Sequence, residues 1–339
     1  MFWGKDKGRV SNAMPPNSEP QSRVGVAAQR GGRGRRWWFV AAFLGVILAG
    51  FLAISGGEVG AVLANAARRV VGGGTWYWSD ENNGWTEIPL ALRVRRHWGE
   101  ADHVLQPGWE QVHPGLDTAE LSFLRPPDPR DVDVVLVRVD PARWQFRVYG
   151  RDDWSRDSVS ALAQEAGLTF AVNGPYFAED GPLGLVVSDG VFRNRQGSRR
   201  AAHFLVDQPG TLPRIVNERG TDVAGVREGL QGFPSIMTAR KTYSYLRTGG
   251  RGFDIQVADR RTAACTTPSG EMVFLATDTW IGGLSLAELA TVMGALGCVD
   301  AMAFDGGAST GMWIAGEREV RGLDDVPVIV GVVPISEAE

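Results

Sequence analysis

The run WWFVAAFLGVILAGFLAI, Trp37 to Ile54, constrains this chain more than any other stretch, because eighteen successive residues carry no charge. Together with Ser55 to Gly57 they just suffice, as a helix, to cross a hydrocarbon core roughly 30 Å thick. Arg30, Arg33, Arg35 and Arg36 crowd one flank, and Glu58 is the first charge on the other. By the positive-inside rule the N-terminus is expected in the cytoplasm and everything beyond the helix outside it. Residues 1–36, rich in Gly, Pro, Ser and Arg and without an apolar period, are expected to be a disordered, basic cytoplasmic tail. Residues 37–57 are thus predicted to be a single-pass signal-anchor helix, with a periplasmic or cell-surface domain after it. A cleaved signal peptide is the alternative, since Ala64-Asn65-Ala66 has the small-x-small form. The long basic segment and the distance from the apolar run to that site favour a retained anchor.

Residues 58–104 are Gly-rich and then Trp/Arg-rich, and are expected to be a stalk or linker that folds in part onto the domain. From 105 to 339 the pattern is that of one domain. DVDVVLVRVD and WQFRVYG run or alternate at strand length, with Asp140-Pro141 between them, so a hairpin is predicted. DSVSALAQEAG reads as a helix stopped by Gly167, and LTFAVN as a strand ending at Asn173. LGLVVSDGVFRN predicts a hairpin turning at Asp189-Gly190, and RTAACTTPSGEMVFLATD another turning at Pro268 to Gly270. SLAELATVMGALG carries the strongest helix signature: Ser285 as cap, Glu288 three residues on, and Gly297 as the stop. VDAMAF is the strand that feeds Asp305. Strand pairs with two inserted helices predict an α+β fold, a single mixed-sheet domain with inserted helices behind one N-terminal transmembrane helix.

A net charge of −4 gives no basic surface for nucleic acid, so none is expected as a partner. His97, His103 and His113 match no zinc spacing and read as surface histidines. Cys265 and Cys298 fall at edges of predicted strands; they read as free, buried thiols, with a bridge the alternative outside the cytoplasm.

Five loops combine polar groups with glycine or a turn residue at expected strand ends: NGPYF at 173–177, QGFPS at 231–235, RRT at 260–262, TDTW at 277–280 and DGGAS at 305–309. Singly, each reads as an ordinary turn or solvated edge. Together, a carboxylate, an amide, an arginine and a Gly-Gly backbone supply what a sugar phosphate needs: a planar fork for phosphate oxygens, close main-chain approach, and an acid or base.

The ordered series AVNGPYF, PLGLVVSDG, QGFPSIM, RRTAAC and GGLSLAELATVMGALGCVDAMAFDGGAST resembles the phosphodiester glycosidase family over roughly residues 105–335. Pro175, Ala308, Cys265 and Thr279-Trp280 depart from the family pattern. The resemblance implies hydrolysis of the bond between an anomeric carbon and a phosphate oxygen, with a carbohydrate phosphodiester as substrate. It implies catalytic roles for Asp305 as nucleophile or base, Arg261 as phosphate clamp, and Asp278 as a further acid. It implies substrate contacts from Asn173, Gly174, Tyr176, Gly306, Gly307 and Ser309. No cofactor is implied; site carboxylates could hold a divalent cation, but no ligand spacing marks one. The expected protein is a membrane-anchored extracytoplasmic hydrolase of a cell-envelope or exported glycan. A non-catalytic module that binds a glycan or sugar phosphate in the same groove is the alternative.

Overall fold

A computed structural model describes residues 76–80, 85–88, 95–125, 131–195, 201–216, 221–248 and 255–335. The tail at 1–36 and the anchor at 37–57 lie outside the described residues, among which no helix is long and apolar enough to cross a membrane.

Strands dominate. Twenty-two strands are described against three α-helices, Val159–Glu165, Tyr245–Thr248 and Leu286–Ala295. Every described strand pairing is antiparallel. The expected α+β mixed sheet is therefore corrected to a predominantly β fold. Many of the strands that shift the balance are two to four residues long, such as Phe177–Ala178, Gly181–Pro182 and Lys241–Thr242. Segments that short carry no readable two-residue period.

The strands form a ten-stranded sheet, two five-stranded sheets and a two-stranded ribbon. In the large sheet, Ala301–Ala303 pairs with Ser235–Thr238 on one side and Thr262–Thr266 on the other. Thr262–Thr266 continues to Met272–Thr277, which pairs with Asp131–Val139. The apolar run of Asp131–Val139 is explained by burial on both faces, where alternation disappears. Val132, Val134 and Leu136 enter one core cluster with Leu289, Val292 and Met293 of the longest helix. Val135, Val137 and Val139 enter another with Phe146, Phe170 and Phe204 from the two smaller sheets.

The hairpin expected between Asp131–Val139 and Trp144–Tyr149 does not form. Trp144–Tyr149 instead pairs with Ile329–Pro334, which also pairs with Phe170–Asn173 in a five-stranded sheet. Asp140 makes the crossing: its carboxylate accepts the Ala142 N–H at 2.9 Å, and its carbonyl accepts from Arg143 and Trp144. The other two predicted hairpins form, and Asp189 and Gly190 have φ of 49° and 77° as a primed turn demands. Ser158 and Ser285 cap their helices, Ser285 in a full capping box with Glu288.

The stretch expected as a stalk supplies Trp76–Ser79 and Thr86–Ile88 to the large sheet. It also supplies Trp98, fully buried, whose indole N–H donates to Thr242 Oγ1 at 3.1 Å. Gly294 faces it: a Cβ there would lie 2.0 Å from the Trp98 ring, so glycine in mid-helix is a packing requirement.

Cys265 and Cys298 are joined by a disulfide, with Cα atoms 5.7 Å apart. This corrects the reading as free thiols. Cys265 lies in the strand Thr262–Thr266 and Cys298 just past the helix Leu286–Ala295, an adjacency made only by folding.

Candidate active site

The ends of three strands are tied at one point. Phe170–Asn173 ends on Asn173, which is fully buried. Its side-chain amide donates to the Asp305 carbonyl at 2.8 Å. Its Oδ1 accepts from Thr262 Oγ1 at 2.6 Å and from the Gly311 N–H at 3.1 Å. The Asp305 N–H in turn donates to the Gly174 carbonyl at 3.1 Å. Expected as substrate contacts, Asn173 and the Gly174 carbonyl instead brace the acid. Gly174 also has to be glycine, since a Cβ would meet the Val328 carbonyl at 2.8 Å.

Asp305 is 9% exposed, and burial pushes its carboxyl up to about 6. The Ser309 side chain and the Gly306 N–H, the latter 2.9 Å from Oδ1, pull the other way. Asp259 and Asp324 add to the rise. The group thus titrates near neutrality, the range suited to a base or nucleophile working in mild conditions.

The two glycines after it answer a steric demand. A Cβ on Gly306 would lie 2.7 Å from the Arg260 carbonyl, and one on Gly307, at φ +63°, 3.2 Å from an Asp259 carboxylate oxygen. The Gly307 N–H donates to the Arg260 carbonyl at 2.9 Å. Both glycine N–H groups are therefore engaged within the protein, and the Gly-Gly pair packs the Asp259-Arg260 main chain against the acid.

Arg261 is 9% exposed, and burial lowers its pKa. Nε donates to the Leu284 carbonyl at 2.8 Å and Nη2 to the Val257 carbonyl at 2.9 Å. Nη1 lies 3.5 Å from where a Gly306 Cβ would stand. Among the described residues no carboxylate forms an ion pair with it. Two main-chain carbonyls therefore aim a buried cation while leaving its charge for an anion from outside.

Tyr176 shares this field: burial first, then Asp305, pushes its phenol up to about 12, while Arg261 opposes the rise. Its ring meets Phe233 edge-on at 6.1 Å. The two line a cavity of about 220 Å³ with Pro175, Leu183, Gly184 and Gln231.

Sequence reasoning missed Asp259 and singled out Arg260 only as part of the RRT loop. Asp259 acts electrostatically on Asp305, Tyr176, Arg260 and Arg261. Its signal was its place two residues before Arg261 in ADRRT. Arg260 donates to the Arg321 carbonyl at 2.7 Å. Asp278, expected as the further acid, is bound to Arg318 at 2.8 Å, and Arg318 also reaches Glu120 at 3.1 Å. Among the described residues no group of three or more His, Cys, Asp or Glu side chains is placed to hold a metal ion.

The fold and site together define a β-rich protein with a buried acid at a strand end beside a cation free to meet an anion. The family model described as phosphodiester glycosidase matches residues 166–333, which hold all five site loops. The match agrees with the resemblance that the motifs carry.

The catalytic domain of zebrafish N-acetylglucosamine-1-phosphodiester alpha-N-acetylglucosaminidase, auto-inhibited by pro-peptide, has the same fold. It aligns at TM-score 0.54 and 16% identity over 75% of this chain and 99% of its own. A hypothetical protein from Synechocystis aligns at TM-score 0.46 and 16% identity over 65% of this chain and 64% of its own, too loosely to carry an argument. No curated protein matches the chain significantly in sequence.

Proposed function

We propose that this protein hydrolyses a glycosyl-1-phosphodiester, releasing a free sugar and a phosphate monoester, in a cell-envelope or exported glycan. The observation that carries the reading is Asp305, raised to about 6, next to Gly306, whose Cβ would stand 3.5 Å from Nη1 of Arg261, a buried cation without an ion-pair partner among the described residues. Glycosyl transfer passes through an oxocarbenium-like state that a carboxylate attacks or stabilises. The C1–O bond breaks, water supplies the new hydroxyl, and the negative charge departs on phosphate. Arg261 neutralises that charge, so phosphate leaves without a strong acid beside it. Asp305 acts as the carboxylate, on the anomeric carbon or on the water, and Asp259 and Tyr176 set the field around it. In this reading the apolar run at 37–57 tethers the domain to the membrane on its extracytoplasmic side.

The zebrafish protein is named for an N-acetylglucosamine-1-phosphodiester, so its methyl diester is the first substrate to assay. Full-length chain in lipid nanodiscs is expected to release N-acetylglucosamine, and Asp305→Asn to abolish release. Sugar-phosphate binding without turnover would instead establish the non-catalytic module.

A further inference from the structure

Six large apolar side chains stand exposed among the described residues; three of them are tied through the main chain to the candidate site, and two more lie on the loop that leads to Leu284. The Leu183 N–H donates to the Tyr176 carbonyl at 2.7 Å, and the Leu323 N–H to the Ala308 carbonyl at 2.7 Å. The Val257 carbonyl accepts from Arg261. Trp280 and Ile281, 82% and 73% exposed, lie just before Leu284, whose carbonyl holds Arg261 Nε. The same loop is fixed against Asp259: a Cβ on Gly283 would lie 2.0 Å from the Asp259 carbonyl. Exposed apolar residues scattered singly are ordinary, but five on segments that build one site are a reason to look for an apolar ligand there.

The charge pattern selects the occupant. Arg261 is a buried cation with no ion pair among the described residues, and exposed apolar side chains stand on the segments that hold it, so a ligand that uses both carries hydrocarbon next to its negative charge. Resting on the phosphodiester reading above, we infer that the phosphate of the substrate bears a hydrocarbon chain, which Trp280, Ile281 and Leu183 receive as the sugar meets Asp305. The reaction is then alkyl glycosyl phosphate plus water to free sugar plus alkyl phosphate, the lipid leaving with the phosphate it arrived on.

The test uses full-length chain in nanodiscs with methyl, butyl and octyl phosphodiesters of N-acetylglucosamine, each below its micelle concentration. Binding of methyl and octyl phosphate is measured by calorimetry, with protein-free nanodiscs subtracted. Burying a CH₂ group is worth about 0.8 kcal/mol, so even a partly covered octyl chain is expected to lower KM and Kd about tenfold or more relative to methyl. Trp280→Ser/Ile281→Ser and Leu183→Ser are expected to shrink that preference to less than about threefold, through the same lost burial. Equal turnover of methyl and octyl substrates overturns this inference and leaves the hydrolase reading standing. Tight octyl phosphate binding that depends on the rim, with no turnover of any diester, overturns the hydrolase reading and keeps the hydrocarbon site. A preference that survives the rim substitutions places the chain elsewhere and overturns the inference. A dimer that dissociates on Trp280→Ser/Ile281→Ser, with no preference for chain length, overturns it in favour of a second copy of this chain.

Discussion

The Asn173 amide donates to the main-chain carbonyl of Asp305 at 2.8 Å, across 132 residues of sequence. One side chain thereby fixes where the strand Ala301–Ala303 delivers its acid, while its Oδ1 holds Thr262 and Gly311. Removing it leaves three buried polar groups without partners, each costing about 1–3 kcal/mol. Asn173→Ala is expected to lower stability by about 3 kcal/mol or more in urea unfolding. Among the molecules that fold, kcat is expected to fall with little change in KM, because Asn173 positions Asp305 and is too deeply buried to touch substrate.

Asp305 carries a cost of its own, because a carboxylate held in a buried place is ionised at the expense of stability. Its folded pKa of about 6 lies above its ordinary 3.8, so the native state holds its proton more tightly than the unfolded chain. The penalty is absent below about pH 4, grows between pH 4 and 6, and is complete above that, where two units correspond to about 3 kcal/mol. Asp305→Asn is therefore expected to stabilise the protein by up to about 3 kcal/mol at pH 7.5 and by almost nothing at pH 4. The same substitution is expected to reduce kcat/KM about a thousandfold, and wild-type kcat/KM should rise through about pH 6 as the carboxylate forms. Equal urea midpoints for variant and wild type at pH 7.5 would count against the buried-acid account.

Glu228 adds to this trend. It is fully buried, and burial pushes it up to about 7 despite the N–H groups of Val148 and Asp189 and the Arg147 guanidinium. As with Asp305, the stability lost is lost as pH rises, here from about 4.5 to 7. Thermal unfolding from pH 5 to 8 is expected to show Tm falling across that range, with the fall reduced but not removed in Asp305→Asn.

The two other candidate acids are separated by their partners. Asp278 is part-exposed and paired with Arg318, so Asp278→Asn is expected to cost less than about 1 kcal/mol and to change kcat/KM less than about threefold. Asp259→Asn, beside Gly307 and acting on Asp305, is expected to shift the acidic limb of the pH profile downward, since it removes a negative charge that raises Asp305. Profiles of the two variants measured side by side decide between them.

The Cys265–Cys298 disulfide closes a loop of 33 residues. Cys265→Ala/Cys298→Ala is expected to lose about 3–4 kcal/mol by the loop-closure relation. Alkylation of the unfolded, unreduced chain should label neither cysteine, and labelling of both would refute the bridge.

Local chemistry wrote much of this protein into its sequence. The helix Leu286–Ala295 was legible because Ser285, Glu288 and Gly297 act within a turn of it. The hairpins at Asp189-Gly190 and at Pro268 to Gly270 were legible because a turn fixes its own flanking strands. Asp305, Arg261 and the two glycines stood out in RRTAAC and FDGGAS for a related reason: close main-chain approach and a strand-end charge demand particular residue types in a row.

Partners distant in the chain were decided only by folding. Tertiary pairing sent Trp144–Tyr149 to Ile329–Pro334 instead of back onto Asp131–Val139. The β content was hidden because strands of two to four residues are stabilised by their neighbours in a sheet and leave no period of their own. Tertiary structure likewise turned Asn173 from a ligand contact into a brace, gave Asp278 to Arg318, brought Asp259 beside Asp305, and closed the disulfide. A residue type limits what a side chain can do; which of those things it does depends on the groups folding places within hydrogen-bond reach.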